Sequence, residues 1–407
     1  MNGLIGKQGC DRGYALRDIL ITAPVRTPIG NMNGALCSMS ATLLGSCAIQ
    51  EAVRRGGIDP HTIDEVIMGN VLSSGLGQAP ARQAAVGAGL PDRVDATTVN
   101  KVCGSGLKAV IMAAEAIHLG AAKIVVAGGM ESMSNVPYLL SQARQGYHIG
   151  HGEVTDGMFH DGLRDVYSSK HMGALADMCA VKYGITRPEQ DEWAIRSYER
   201  AIHAWHEGWF RDELVEVDVM SGTGVIRVSR DERLQKFDEA KLRRLPPVFQ
   251  NDGTMTAGNT CGMNDGAAAM LVLSSEVALK QNTTPMARLL AYSYCGVPSQ
   301  LFATGPIESI RNLLRQLQMT PDDIDLYEIN EPFAMVPLIT IKELSIDPTR
   351  VNVHGGAISL GHPIGASGAR ILSTLMYALR RSGKRHGIAS LCIGGGGGIA
   401  LAVELIR

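Results

Sequence analysis

Aromatic residues are scarce in this chain: Phe, Tyr and Trp make up 5% of 407 residues, whereas glycine alone numbers 47. That balance disfavours a β-sandwich and suits an α/β protein with many tight strand-to-helix turns. Basic charge is not in excess either. The formal net charge is −2 and no basic stripe is present, so nucleic acid is not an expected partner. No apolar run approaches the length of a membrane span, which removes the membrane as a partner. The opening MNGLIGKQGCDRGYALRD lacks the hydrophobic region of a signal peptide and reads as a loose extension over 1–17. Eight cysteines, at 10, 37, 47, 103, 179, 261, 295 and 392, contain no C-x-x-C pair, and no H-E-x-x-H occurs. The chain therefore has neither a zinc framework nor a disulfide scaffold, no metal site is expected, and the pattern fits a reduced, cytoplasmic enzyme.

The chain is written twice. IDEVIMGN begins at Ile63 and IDLYEINE at Ile324. CGSGLKAVIMAAEAIHLGAAKIVVAGG begins at Cys103, and GASGARILSTLMYALRRSGKRHGIASLCIGGG begins at Gly365. Each copy runs from a Gly/Ser-rich turn through a helix into an apolar strand that ends in glycines. Leu107, Val110, Ile111, Ala114 and Ile117 fall at helical spacing, as do Ile371, Leu372, Leu375, Met376 and Leu379. KIVVAGG and IASLCIGG are short apolar runs bounded by glycine, as buried strands are. After LCIGGGGG the second copy passes straight into IALAVELI, but the first copy reaches its counterpart, GAAAMLVLS, only near residue 266. Residues 133–263 therefore read as an insertion between two adjacent strands. The expected domains are a first half over 1–132 completed by 264–284, an inserted loop domain over 133–263 covering the active site, and a second half over 285–407. The insert's RPEQDEWAIRSYERAIHAWHEGW reads as a surface helix, carrying His203 and His206. The run Gly394–Gly398 is not a dinucleotide fingerprint, because a strand and not a helix follows it.

Equivalent turns of two related halves face each other across a pseudo-twofold axis. VCGSG in the first half then meets EINEPFA, GGAISLGHPIGASG and LCIGGG in the second, which gathers Cys103, Asn330, His362 and Cys392 into one candidate site. Taken singly, Asn330 reads as a turn residue, Cys392 as core and His362 as a structural histidine. Jointly, on glycine-rich turns of a duplicated fold, the catalytic reading is the better one. Cys103 stands just ahead of a helix, where free N–H groups and the helix dipole favour the thiolate. An adjacent histidine would assist its deprotonation.

The chain from about Asp18 to its end resembles the thiolases, and among them the biosynthetic acetyl-CoA acetyltransferases. The likeness rests on APVRTPIG, NKVCGSGLKAV, GGMESMS, GTMTAGN, NDGAAA, NEPFA, GGAISLGHPIGASGAR and CIGGG, in that order. It implies a duplicated α-β-α-β-α fold of five layers with an inserted loop domain. It also implies condensation of two acetyl-CoA to acetoacetyl-CoA and CoA, or the reverse thiolysis, by a ping-pong route through an acyl-cysteine. CoA thioesters would be substrates, no cofactor would be bound permanently, and the assembly would be a homotetramer, a dimer of dimers. By this resemblance Cys103 is the nucleophile, His362 activates it, and Cys392 is the acid/base that works on the acetyl methyl group. Asn330 holds a water in one oxyanion hole shared with His362, and the N–H groups of Cys103 and Gly394 form a second. His171, Met172, Ala257, Cys261, Met263 and Phe333 match substrate- and CoA-binding positions.

Three departures bear on substrate range. Cys261 stands where the family usually has a serine that bonds the pantetheine, and a thiol is a weaker donor. NVHGGA introduces His354 in place of an asparagine, and NEPFA introduces Pro332, which restricts Glu331 to extended backbone and bears on the placement of Asn330. The competing expectations are a longer-chain 3-ketoacyl-CoA thiolase and a catalytically weak thiolase-like scaffold subunit. A decarboxylating ketosynthase, with His354 as the second of two histidines, is weighed against Cys392 in CIGGG.

Overall fold

The computed structural model describes residues 19–222 and 224–406, so the extension at 1–17 and Cys10 lie outside the described residues. Ten strands form one hydrogen-bonded sheet: β1 (Ile19–Arg26), β2 (Gly30–Asn31), β3 (Glu65–Gly69), β4 (Asp95–Val99), β5 (Ile124–Ser132), β6 (Asn264–Ser274), β7 (Ala287–Gly296), β8 (Leu326–Ile329), β9 (His386–Ile393) and β10 (Gly397–Leu405). The first half runs β1-β6-β5-β3-β4, with the short β2 beside β6. The second half runs β7-β10-β9-β8, and Val351 then pairs in parallel with Tyr327 where β4 pairs with β3. The repeat seen in the sequence is thus a repeat of strand order. The two halves join where β1 meets β7 over only two residue pairs, Leu20 with Arg288 and Ile21 with Ala287.

The longer helices position the rest: α1 (Ala41–Gly56), α2 (Pro80–Gly87), α3 (Ser105–His118), α4 (Met172–Tyr183), α5 (Arg187–His206), α6 (Gly305–Leu317), α7 (Met335–Leu344) and α8 (Ser367–Ser382). Helices α1 and α2 cover the outer face of the first half, and α6 and α7 that of the second. Helices α3 and α8 lie together between the two halves of the sheet, where Val110, Ile111, Ile371 and Leu375 share one buried core with residues of both. These are the five layers expected from the resemblance.

Strands β5 and β6 pair antiparallel from Leu273 with Ile124 to Asp265 with Ser132, so residues 133–263 leave and return between two neighbours. Helix α5 begins with a capping box, Thr186 and Glu189 bonding each other's backbone N–H groups. It is not simply a surface helix. Gln190, Asp191, Trp193, Ser197 and Tyr198 are buried, because Trp193 Nε1 and Ser197 Oγ donate to the buried Glu331 carboxylate at 3.0 and 2.8 Å. His203 and His206 lie on its exposed side. The base of the segment is tied to β1 by Arg26, fully buried, which bonds Glu213 at 2.5 Å and Asp231 through two nitrogens at 2.8 and 3.0 Å. Burial of this charge is tolerated because both carboxylates neutralise it.

The glycines of Gly-Ser-Gly and Gly-Ala-Ser-Gly have one cause. The first turns of α3 and α8 touch backbone to backbone: a Cβ on Gly106 would lie 2.8 Å from Ala369 N, and one on Gly368 would strike Leu107 N. Replacing Gly368 by alanine must therefore push the two helices apart. We expect the G368A protein to lose at least about 1–3 kcal/mol, the usual cost of overpacking, read as a lowered midpoint in thermal denaturation.

Candidate active site

Between β4 and α3 the chain makes a tight elbow. Val102 adopts φ +47°, a left-handed conformation that a β-branched residue rarely occupies. Such strain costs on the order of 1–3 kcal/mol and needs local support. Asn100 Oδ1 accepts from Val102 N at 3.0 Å, while Ser105 Oγ accepts from Lys101 N at 2.8 Å and donates to Val102 O at 2.6 Å. The elbow presents Cys103, half-buried, to a cavity of about 450 Å³.

Ten of the eleven candidate residues line that one cavity. Cys103, His362, Cys392 and Gly394 do so, together with His171, Met172, Ala257, Cys261, Met263 and Phe333. Asn330 stands immediately behind, its Nδ2 3.5 Å from His362 Nε2, and its Oδ1 has no hydrogen-bond partner among the described residues.

Hydrogen bonding assigns the tautomer of His362. Its Nδ1 lies 2.6 Å from Ser367 Oγ, and that hydroxyl donates one helical turn back to Pro363 O at 2.9 Å. Having one proton, the hydroxyl must accept from Nδ1–H, which leaves Nε2 as a free lone pair toward Asn330. The backbone is fixed as well, since His362 N donates to Asn264 Oδ1 at 2.9 Å. Burial, and secondarily the Arg370 guanidinium, hold the imidazole down at about 3, so it is neutral at physiological pH.

The thiols shift the other way. Burial pushes the Cys103 thiol up to about 11, against the opposing effect of the Gly394 N–H. The thiolate expected from the helix terminus is not the resting form: desolvation in the cavity outweighs the backbone donors. Burial, reinforced by nearby Cys103, raises Cys392 far above the usual thiol range. Cys103 and His362 therefore rest as a neutral pair.

His171 caps α4, its Nδ1 accepting from Gly173 N at 2.9 Å, and its ring stacks on Phe249 at 4.4 Å between centroids. Phe333 meets Phe249 and Phe302 edge-on, at 6.2 and 6.1 Å. Cys261 is fixed through its backbone, N donating to Pro332 O at 3.0 Å, and burial pushes its thiol up to about 12. Pro332 also lines the cavity and leaves Asn330 within reach of His362. His354 does not belong to the site. It packs 4.9 Å from the Trp209 ring and 6.2 Å from Phe210, outside the cavity, and burial holds it at about 4. His354 is therefore not the second histidine of a ketosynthase-like pair in this cavity.

Sequence reasoning missed four supports. Ser367 and Asn264 fix His362, as described above. Glu131, fully buried, accepts from Gly365 N at 2.9 Å, Val71 N at 3.1 Å, Leu72 N at 3.2 Å and Asn70 Nδ2 at 2.8 Å, pinning the turn that follows His362. Arg233 lines the cavity and donates to Ile358 O at 2.8 Å. Glu131 and Asn264 lie inside the quoted stretches GGMESMS and NDGAAA, so motif membership was their one available signal.

Comparison with known proteins identifies the family of the chain. The model for the thiolase N-terminal domain matches residues 19–276, and that for the thiolase C-terminal domain matches 283–405. The chain belongs to the thiolase family. It is 49% identical over 393 residues to acetyl-CoA acetyltransferase 2 of Arabidopsis thaliana, covering 96% of this thiolase and 98% of the relative. Among solved structures it is similar to the acetyl-CoA acetyltransferase of Bacillus anthracis, with TM-score 0.94 and 42% identity. It is also similar to a thiolase from Ascaris suum in complex with coenzyme A, with TM-score 0.91 and 41% identity. In both cases 96% of this chain and 100% of the other are covered. Among the described residues no group of His, Cys, Asp and Glu could hold a metal ion, and no helix is long and apolar enough to cross a membrane.

The neutral resting pair has a measurable consequence. Because the thiolate is the nucleophile, alkylation of Cys103 by iodoacetamide should accelerate about tenfold per pH unit from 7 toward 10. Peptide mass spectrometry at several pH values reads the rate, and a flat profile above pH 7 would instead mean a preformed thiolate. His354→Asn should leave turnover of acetoacetyl-CoA and CoA within about twofold of the parent, as substitutions remote from a site usually do.

Proposed function

We propose that this thiolase is an acetyl-CoA C-acetyltransferase that condenses two acetyl-CoA to acetoacetyl-CoA and CoA, and runs the reverse thiolysis, through an acetyl-Cys103 intermediate. The observation that carries the reading is the convergence of Cys103, His362, Cys392 and Gly394 on one cavity. In the first half-reaction His362 Nε2 takes the Cys103 proton and the sulfur attacks the acetyl carbonyl. The tetrahedral oxyanion is held by the N–H groups of Cys103 and Gly394. Each such donor typically contributes about 10² to 10³ in rate. Collapse expels CoA sulfur, which takes the proton of Cys392. The raised Cys392 thiol suits that step, since it must carry a proton at neutral pH before it can give one up.

Cys392 is then a thiolate and removes a methyl proton from the second acetyl-CoA. Protonated His362 Nε2, with a water on Asn330, faces the resulting enolate oxygen. The carbanion attacks acetyl-Cys103, the new carbon–carbon bond forms, and the Cys103 sulfur leaves to recover its proton from His362. Protons and charge balance over the cycle without an external base.

The division of labour extends to the domains. The segment 133–263 acts as a cover, a reading supported by His171, Met172, Ala257, Cys261 and Met263, which it supplies to the cavity. The halves it covers are 1–132 with 264–284, and 285–407. The active form is a homotetramer, by the family resemblance. A reducing, cytoplasmic setting is supported by the free state of the seven cysteines among the described residues.

Intact-mass spectrometry after brief mixing with acetoacetyl-CoA, without free CoA, tests the intermediate. The parent protein should gain one acetyl group on Cys103, Cys103→Ser should gain none at that position, and added CoA should discharge the adduct. With acetyl-CoA as donor, whose thiolate leaves without obligatory protonation, Cys392→Ala should still acetylate Cys103, while condensation falls by at least about 10². A folded, CoA-binding protein with neither adduct nor turnover would leave the scaffold reading instead, and turnover persisting on long 3-ketoacyl-CoAs would place the enzyme among the longer-chain thiolases.

A further inference from the structure

Behind the site lies a charge pair that the mechanism above does not use. Arg370, on α8, is 1% exposed, and so is Glu328, on β8. Arg370 Nη1 lies 3.7 Å from Glu328 Oε2, and none of the three guanidinium nitrogens has a hydrogen-bond partner among the described residues. Glu328 Oε1 has none either. Other buried polar groups nearby are well satisfied: Arg26 bonds two carboxylates, and Glu331 accepts from Trp193, Ser197, Asn352 and the Ile358 N–H. A buried pair of this quality is poor evidence for stability, because desolvation can exceed the attraction between the charges.

Its placement suggests a different use. Glu328 stands two residues before Asn330, so both side chains leave the chain on one face of the extended segment. Arg370 stands one helical turn after Ser367, whose hydroxyl accepts from His362 Nδ1–H. The pair therefore bridges the two segments that bring Asn330 and His362 together. We propose that Arg370 and Glu328 are positioning residues, whose buried ion pair sets the separation between Asn330 and the Nε2 edge of His362. The proposal rests on the thiolase reading and adds to it the control of one oxyanion hole. His362 itself is held separately, by Ser367 and Asn264. Loss of the pair should thus disturb the Asn330 side of the site more than the activation of Cys103.

The pair sits among other buried charges. Arg26, Glu213 and Glu331 act on Arg370 along with Glu328, and Arg200, Glu213 and Glu331 act on Glu328 along with Arg370. Of all these, only Arg370 bears on His362 appreciably; Asn330 and Ser367 beside the ring are uncharged, and Cys103, Cys392 and the charged Arg233 line the same cavity.

The test separates the half-reactions. Glu328→Gln removes one charge and keeps the shape, but leaves Arg370 buried without its partner. The double variant Glu328→Leu/Arg370→Met therefore accompanies it, because replacing both charges by apolar groups is commonly neutral or stabilising. Acetylation of Cys103 by acetyl-CoA is followed by intact mass, steady-state condensation and thiolysis by CoA release and consumption, and folding by thermal denaturation. The expected result is a folded double variant that acetylates within about twofold of the parent, while kcat for condensation falls by about tenfold or more and KM moves little. Glu328→Gln, where it folds, should show the same split. A stable double variant with parental kcat overturns the proposal, because the pair is then structural only, as does equal loss in both half-reactions or failure of the double variant to fold. Absence of adduct and turnover in the parent protein overturns the thiolase reading and this one together, and so is distinguishable from a failure confined to the variants.

Discussion

The contact of two helix starts, backbone against backbone, governs this molecule. Helix α3 begins two residues after Cys103 and α8 begins five residues after His362. When Gly106 and Gly368 let those starts touch, the turns that precede them are brought within side-chain reach of each other. Cys103 and His362, the proposed nucleophile and base, thus line one cavity as a consequence of packing, although they lie far apart in sequence. Glycine at a helix terminus costs less than in the interior, where its extra backbone freedom is lost without compensation. The duplicated fold needs the same small residues in both copies, because each helix is the other's neighbour.

That close packing also determines the chemistry of the resting state. A site drawn this deep between two sheet halves loses water, and desolvation penalises the charged form of every group in it. Cys103 and Cys392 are therefore thiols and His362 is a neutral imidazole. A neutral site must create its charges during the reaction, by passing protons among its own members. Each member is consequently held by contacts that fix where its lone pair or proton points. Ser367 does this for the imidazole, and the Asn100 and Ser105 side chains do it for the strained peptide that leads into Cys103.

Much of this was legible in the chain because it is local. A Gly/Ser turn, a helical stripe and an apolar strand repeat in order, and strand order in the two halves follows that repeat. The cavity residues were legible as family motifs, since each motif holds its chemistry within a few positions. What escaped detection is long-range. Glu131 binds Gly365, and Glu331 binds Trp193, across gaps that no periodicity records. The charged appearance of α5 concealed its buried face for the same reason: Asp191 pairs with Arg187 one turn away and also accepts from Asn259 at 2.9 Å. The thiolate assigned to Cys103 from its helix was reversed because the depth of the cavity is a property of the whole fold.

The departures from the family pattern show which constraints are strict. Pro332 has no N–H, but the segment around it bonds through its carbonyl to Cys261 N, while Ala334 N reaches Asn259 O at 2.9 Å. No donor is missed, so proline is accommodated at the wall of the site. His354 replaces an amide by a ring, and the ring finds Trp209 and Phe210 rather than the substrate. Cys261 differs in kind, because its side chain lines the cavity while its backbone is pinned to Pro332. A thiol raised to about 12 keeps its proton, yet donates it weakly. Any partner that a hydroxyl would hold at this wall must be held more by shape, through Phe333, Phe249 and His171, than by a hydrogen bond. Of the three changes, only Cys261 therefore brings a hydrogen-bonding side chain to the cavity.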